Sequence, residues 1–485
     1  MDGSNLGAPQ RDAIDYVERN KQAVADLNDA IFHFAEPGMQ EIETSKLMCE
    51  LLAEAGFEVE TGISGFPTGF LATCGSGEPV IAMHTEYDAN PNNSQAPGVA
   101  ERSEIVEGGP GHCEGHNANA AAMVAAARAV KKAMEEHGLG GTLKVFGAPA
   151  EELLLARPYY VRDGYFDDVD VAFHDHIWGE FSTEYGQIQI AAVSAEFTFH
   201  GETAHAGLSP WKGRDALDAV VLMDMGLAQF REHLEPTTRL HRVITDGGVQ
   251  PNVIPDRASV WWYFRDPDAD KARGLFDQAT KIAEGAALMT NTEVEVEVKS
   301  AVWPVRANQT LAEAVQRNIE AVGMPEWTDE EQALARATQE AGGVEASGLR
   351  PAATPLTGPS KMIFASNDCG DVSWKVPMAR LWFPGNIPNI AYHHWSAGVA
   401  LATSIAHKGA VAGAKALAAS VLDCFTDPTL VVRANEKHIE ELDGREYRSL
   451  LPEGQVPPTD TNAALMDRYR DRLAEHYPAK RPEFK

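Results

Sequence analysis

The chain reads as an α/β protein, a mixed and helix-covered sheet into which a smaller α+β sandwich is inserted. Three observations carry that expectation. Up to about Gly186, short apolar strands alternate with helical stretches. Residues 187–200 then alternate strongly, as a strand with one exposed face does, and open a block of strands around two helices. From about Pro304 the first style resumes.

In order, residues 10–34 carry Ile14, Val17, Val24, Leu27, Ile31 and Phe34 at three- and four-residue spacings, which predicts a helix ended by Pro37-Gly38. A second helix is expected at about 43–55, closing at Gly56. Segments 57–61, 68–73 and 79–84 read as strands between Gly/Ser/Pro turns. Val80-Ile81-Ala82-Met83 is apolar on both faces, as a buried strand is, and runs into His84-Thr85-Glu86-Tyr87-Asp88. Open α/β sheets place ligands at such carboxyl ends. After a loop at 92–110, Gly111-His112-Cys113-Glu114-Gly115-His116-Asn117 opens a helix at about 119–137, stopped by Gly138. A strand at 142–147 ends in Ala148-Pro149-Ala150-Glu151-Glu152. The strand at 169–178 delivers His174 and His176 on one side and Asp175 on the other.

The inserted block has strands near 187–200, 240–245, 258–264 and 293–299, with helices near 213–233 and 271–289. Beyond it, helices are expected at 311–322, 329–340 and 402–422. A strand at 380–384 leads to Tyr392-His393-His394-Trp395, and a polar tail with short helical stretches follows Pro428.

Composition narrows the function classes. At 485 residues, 44% of them hydrophobic, the chain is too long for one ordinary core. Its net charge of −30 argues against nucleic acid or an anionic membrane as partner, because repulsion opposes both. Five scattered cysteines, Cys49, Cys74, Cys113, Cys369 and Cys424, imply no disulfide framework. Residues 1–5 lack the basic start of a leader peptide, and no apolar run approaches the roughly 20 residues of a membrane span. A soluble cytoplasmic protein is expected.

Chemistry concentrates at strand ends. His112, Glu114 and His116 alternate, so in an extended segment they would share one side. Imidazole and carboxylate suit zinc, manganese and similar ions. Alone, the segment reads equally well as a solvated loop beside a helix cap. Yet Glu151/Glu152, His174/His176 and His393/His394 follow predicted strands too. Satisfied core histidines would explain one or two such segments and explain four poorly, which points to a two-metal site. Neighbouring Glu151 and Glu152 can face different ways, so one can bind metal while the other takes a proton from a water.

Together these motifs resemble the aminoacylase/carboxypeptidase metallopeptidases, in the amidohydrolase branch with the auxin-conjugate hydrolases and p-aminobenzoyl-glutamate hydrolase. The resemblance runs from about Asp12 to Leu422. It rests on Phe34-Ala35-Glu36-Pro37-Gly38 with Glu41, Glu86-Tyr87-Asp88-Ala89-Asn90-Pro91, residues 111–117, and Pro149-Ala150-Glu151-Glu152. Phe199-His200-Gly201 with Ala204-His205-Ala206, and Tyr392-His393-His394-Trp395, complete it in the right order. The resemblance implies Glu151 as general base and Glu152, His116, His176 and His393 as metal ligands. It implies a homodimer in which His205 of the inserted domain reaches the partner's active site, with Asn252 and Arg265 binding substrate carboxylate or oxyanion.

Two departures matter. Where this branch has a bridging cysteine two residues before the matching histidine, this chain has Glu114, with Cys113 one earlier. A carboxylate can bridge two ions, but it is harder and shifts preference from zinc towards manganese. Alternation favours Glu114 as the ligand, leaving Cys113 as small apolar packing and His112 as support behind the ligands. Second, His84 sits two residues before Glu86, the position where the peptidase branches carry a metal-binding histidine; a slip making His84 a ligand is the less favoured alternative.

The expected protein is therefore a dinuclear metallohydrolase of mixed-sheet α/β fold, with two manganese or zinc ions in each copy of the chain, cleaving an N-acyl amino acid or small amide conjugate. Residues 1–186 and 304–425 would form the catalytic domain, 187–303 the dimerisation or lid domain, and 426–485 a tail packed on the catalytic domain. Tyr87, Trp178 and Trp395 hint at an aromatic substrate. A deaminase or carbamoyl hydrolase on the same scaffold, or a non-catalytic partner of an active chain, are the alternatives.

Overall fold

The computed structural model describes residues 6–485; residues 1–5, on which the expected absence of a leader rests, lie outside them. Two helices, α1 (Ala8–Arg19) and α2 (Lys21–Phe34), replace the single helix expected over 10–34. Asn20 breaks it. Its side chain donates to the Tyr16 carbonyl and accepts the backbone N–H of Lys485 at 2.6 Å. An amide side chain that bonds nearby backbone competes with continued helix, and here it also pins the end of the chain.

Next come α3 (Ile42–Glu54), β1 (Glu58–Thr61), β2 (Phe70–Ser76), β3 (Val80–Thr85), α4 (His116–His137), β4 (Gly141–Gly147), α5 (Ala156–Arg162) and β5 (Val171–Trp178). Two short strands follow, β6 (Ser182–Thr183) and β7 (Gly186–Gln187). The inserted part comprises β8 (Ala191–His200), α6 (Ala216–Phe230), β9 (Arg239–Asp246), β10 (Arg257–Asp266), α7 (Ala269–Thr290) and β11 (Glu293–Val302). The chain returns through β12 (Arg306–Ala307), α8 (Gln309–Val322), α9 (Asp329–Ala341), α10 (Gly370–Lys375) and β13 (Met378–Pro384). It ends with α11 (Trp395–Gly398), α12 (Ser404–Thr426), α13 (Pro428–Leu442) and α14 (Ala463–Ala474).

The large sheet has the order β1-β2-β4-β3-β5-β13-β6. Its central strands β4, β3, β5 and β13 are mutually parallel, with antiparallel pairings outside them. Every residue of β3 is buried, as a strand with both faces covered requires. Four parallel strands therefore open their carboxyl ends along one edge of the sheet.

The alanine run of α4 is buried against α12, which is itself rich in buried alanine. Small side chains let the two axes approach closely while keeping high helix propensity. Among the described residues α12 is the one helix long and apolar enough to cross a membrane, with mean hydropathy 1.2. The expectation of no such run is thus too strict on composition, but 83% of that window is buried inside the protein, so α12 is a core helix.

The second sheet, β11-β8-β10-β9, is antiparallel and carries α6 and α7. Val193, Ala195, Phe197 and Phe199 of β8 register with Val260, Trp262 and Phe264 of β10 to form its buried face. Its edge strand β9 leaves Val243 and Ile244 exposed, as are Val221 and Met225 on α6.

Candidate metal centre

Five segments deliver metal-capable groups to the carboxyl edge of the large sheet. β3 runs into Glu86 and Asp88, α4 begins at His116 just after Glu114, β4 is followed by Glu151 and Glu152, β5 carries His176, and the loop after β13 carries His393. Their donor atoms converge in three groups, each within 4.8 Å: Glu86, His116 and His176; Glu114, Glu152 and His393; His116, Glu151 and Glu152. The third shares a residue with each of the others, so the sites adjoin. His393 Nε2 lies 2.9 Å from Glu114 Oε1 and 3.2 Å from Glu152 Oε2. His116 Nε2 is 3.8 Å from Glu151 Oε2, and His176 Nε2 is 3.6 Å from Glu86 Oε1.

Local backbone makes this convergence possible. Gly115, at φ 85°, turns the chain so that α4 starts on His116, and a Cβ there would sit 2.3 Å from Ile177 Cγ2. Ala150 and His393 hold φ of 57° and 55°, a left-handed backbone that costs non-glycine residues about 1 kcal/mol or more and concentrates at functional sites. Ala150 is kept there by its N–H, which donates to Glu41 Oε1 at 2.8 Å.

The donor set fits divalent cations. His116 Nδ1 donates to the Asp88 carbonyl and carboxylate, each at 3.1 Å, and His176 Nδ1 donates to the Ile177 carbonyl at 2.8 Å. These bonds assign the tautomers and leave both Nε2 lone pairs facing the cluster. His116 Nε2 and Glu152 Oε1 are buried without a protein partner. Orphaned buried acceptors are costly, and a cation at each group satisfies them.

Charge is also sorted here. Burial, reinforced by the Glu152 charge, pushes Glu151 well above the ordinary carboxylate range. Burial likewise lifts Glu114 to about 7. On Glu152 burial is outweighed by the hydrogen bond from His393 and the charges of His116 and His393, leaving it lowered. Adjacent carboxyls driven in opposite directions can divide the carrying of a proton from the holding of charge.

Under this layer Glu86 accepts from His174 Nε2 at 2.9 Å and pairs with Arg157, whose guanidinium also pairs with Asp368 and donates through Nε to His84 Nδ1 at 3.0 Å. All five side chains are fully buried, and such a network survives only when every member is paired.

Residues 191–289 match the peptidase dimerisation domain. Over 472 residues the chain is 35% identical to one of the two chains of the Escherichia coli p-aminobenzoyl-glutamate hydrolase, covering 91% of this chain and 97% of that protein. The chain belongs to the M20 peptidase family. Its relatives are metal-dependent hydrolases, and it is one of them. It is also 30% identical to the Xaa-Arg dipeptidase of Mus musculus, over 76% of this chain and 77% of that one. A solved Bacillus subtilis dinuclear metal-binding peptidase of the M20 family shares the fold, with TM-score 0.54 and 19% identity over 84% of this chain and 99% of the other.

In this M20 chain the expected site residues fall into two sets. Glu114, His116, Glu151, Glu152, His176 and His393 meet at the sheet edge, and all but His116 line a cavity of about 750 Å³ that Arg265 of β10 also lines. His205 and Asn252 do not line it. Both are exposed on neighbouring loops of the inserted part, joined by the His205–Val253 bridge and by Ala206 N–H donating to the Asn252 carbonyl at 3.0 Å. Cys113 turns away from His393 and donates to Asn90 Oδ1 at 3.1 Å.

Three expectations are corrected. The alternation of His112, Glu114 and His116 fails because 112–115 is bend rather than strand, and His112 instead meets the Ile31 carbonyl at 3.1 Å. Tyr87 is core, its hydroxyl donating to the Thr68 carbonyl, and Trp395 lies outside the cavity, so of the three aromatics only Trp178 lines it, stacked on Tyr392 at 4.6 Å. His84 lies beneath the ligands, stacked on His174 at 5.1 Å. Sequence reasoning left Glu86 and Asp88 unassigned although their strand-end position marked them; Arg157 and Asp368 carried no signal, since only folding brings them to Glu86.

Proposed function

We propose that this chain binds two divalent ions and hydrolyses the amide bond of an N-acyl amino acid or small amide conjugate, with Glu151 as general base. The observation that carries this is Glu151 itself: a buried carboxyl held towards its neutral form beside two groups of unsatisfied metal donors. His116 and His176 would hold one ion, and Glu114, Glu152 and His393 the other. Bound ions supply positive charge that polarises the amide carbonyl and acidifies a water. Glu151 takes the proton from that water and returns it to the leaving nitrogen. Arg265, with no partner on its buried Nε, would hold a substrate carboxylate. The oxygen-rich donor set favours manganese over zinc. The name of the Escherichia coli relative, p-aminobenzoyl-glutamate hydrolase, supports an aromatic acyl group, as does the Trp178 and Tyr392 wall.

The exposed apolar residues of β9 and α6 suit pairing of two inserted domains. In such a dimer the partner subunit's His205 and the partner subunit's Asn252 would complete the site, which fits their exposure away from the cavity of their own chain. The Escherichia coli hydrolase has two unlike chains, and both resemble this one, so pairing with an unlike chain is the second reading. Sedimentation of the purified chain as a monomer would favour it.

Glu151→Gln tests the chemistry. Metal content should stay unchanged while turnover of N-benzoyl amino acids falls by about 10²–10⁴-fold. Full activity in that variant would sink the mechanism.

A further inference from the structure

Beyond the metal ligands the cavity continues along β13. Arg380 registers with His174 and Trp382 with His176, so both side chains stand on the face of the sheet that carries the histidines. Trp382 lies 5.3 Å from the His176 ring, and the Arg380 guanidinium lies 4.2 Å over the Trp382 ring. Arg380 lines the cavity yet is 2% exposed. Its Nη1 donates to Gln189 Oε1 at 3.1 Å, and its buried Nε has no partner.

Neither acid nearby pairs with it. Glu184 Oε1 comes only to 3.9 Å of Nη1, beyond a hydrogen bond, and instead accepts from Trp382 Nε1 at 2.8 Å. Burial also holds Glu184 above its ordinary range, which weakens it as a counter-ion. Glu180 is taken by Arg350 at 2.5 Å and by Thr354 at 2.9 Å. An arginine with an unsatisfied edge in a central strand is costly unless something pairs with it, and a planar guanidinium fixed on an indole is built for a carboxylate.

We propose that Arg380, seated on Trp382 and steadied by Gln189, is a carboxylate-binding subsite that selects amides bearing a second carboxylate beyond the one an amino acid supplies. Arg265 and Arg380 then face one cavity from two domains, one for each anionic group. The inference rests on the amidohydrolase reading of the same site.

The test compares kcat/KM for N-benzoyl-glutamate and N-benzoyl-glutamine, which differ in one charge. The wild-type chain should prefer the acid by about 100-fold. Arg380→Met should collapse that ratio towards one, Arg380→Lys should restore part of it, and Glu184→Gln should raise it. The ratio is the readout, so a general loss of activity does not mimic the effect. A preference that survives Arg380→Met overturns the subsite. Calorimetric binding of glutarate separates the two readings: binding that Arg380→Met abolishes, with neither amide cleaved, sinks the amidohydrolase reading and keeps the subsite. Cleavage of both amides without preference, or no glutarate binding, sinks the subsite.

Discussion

His116 Nδ1 donates to the Asp88 carboxylate at 3.1 Å, while the other oxygen of the same carboxylate accepts the Glu152 backbone N–H at 3.0 Å. One buried acid thus sets both the ring orientation of His116 and the backbone position of Glu152. Asp88→Asn should keep the fold but lower metal affinity by about 10–100-fold, because groups behind the ligands tune them at that scale. Chelator competition measures it, and unchanged affinity would show that Asp88 is not what orients the ligand.

Glu114 stands 2.9 Å from His393 Nε2 where a thiolate would make the site softer. Glu114→Cys should therefore move metal selection from manganese towards zinc. Metal analysis after reconstitution with an equal mixture of the two ions reads this directly; an identical ratio in both proteins removes Glu114 from the ligand set.

His205 and Glu151 can be tested as parts of one site built from two chains. Each of His205→Ala and Glu151→Gln alone should be nearly inactive. Unfolding and refolding the two together should recover about a quarter of wild-type activity, since half the dimers are mixed and each mixed dimer holds one intact site. No recovery would place His205 outside the partner's active site.

His438 on α13 is buried, and burial with the charge of Arg306 lowers it from 6.5 to about 4. The folded state therefore binds fewer protons than the unfolded state between those values. Its contribution is fully present above pH 6.5 and is lost as pH falls through about 4, on the order of 2–3 kcal/mol. In His438→Gln the stability lost between pH 7 and pH 4.5 should be visibly smaller than in the wild type, by urea unfolding at each pH. Equal losses would rule His438 out as a source of acid sensitivity.

The order of strands and helices was legible because periodicity is local: β3 is apolar on both faces, and the alternation of β8 marks a sheet with one covered face. The ligand segments were legible for a related reason. A parallel sheet aligns its carboxyl ends, so Glu151, Glu152 and His176 are placed together once their strands are known. Glu114 could be chosen over Cys113 from sequence, although the supporting alternation did not extend to His112.

What the linear pattern could not hold was any relationship set by distant backbone. Asn20 splits the first helix because Lys485 lies beside it. Arg157 finds Glu86, Asp368 and His84 only when three separate segments meet. The left-handed turn at Ala150 is held by Glu41, more than a hundred residues earlier. By itself the sequence determined the elements, the family likeness and the donor types, because each depends on neighbours in the chain. Only the tertiary structure decided which donors converge, which carboxyl is driven neutral and where Arg380 stands without a partner, because burial and charge depend on neighbours in space.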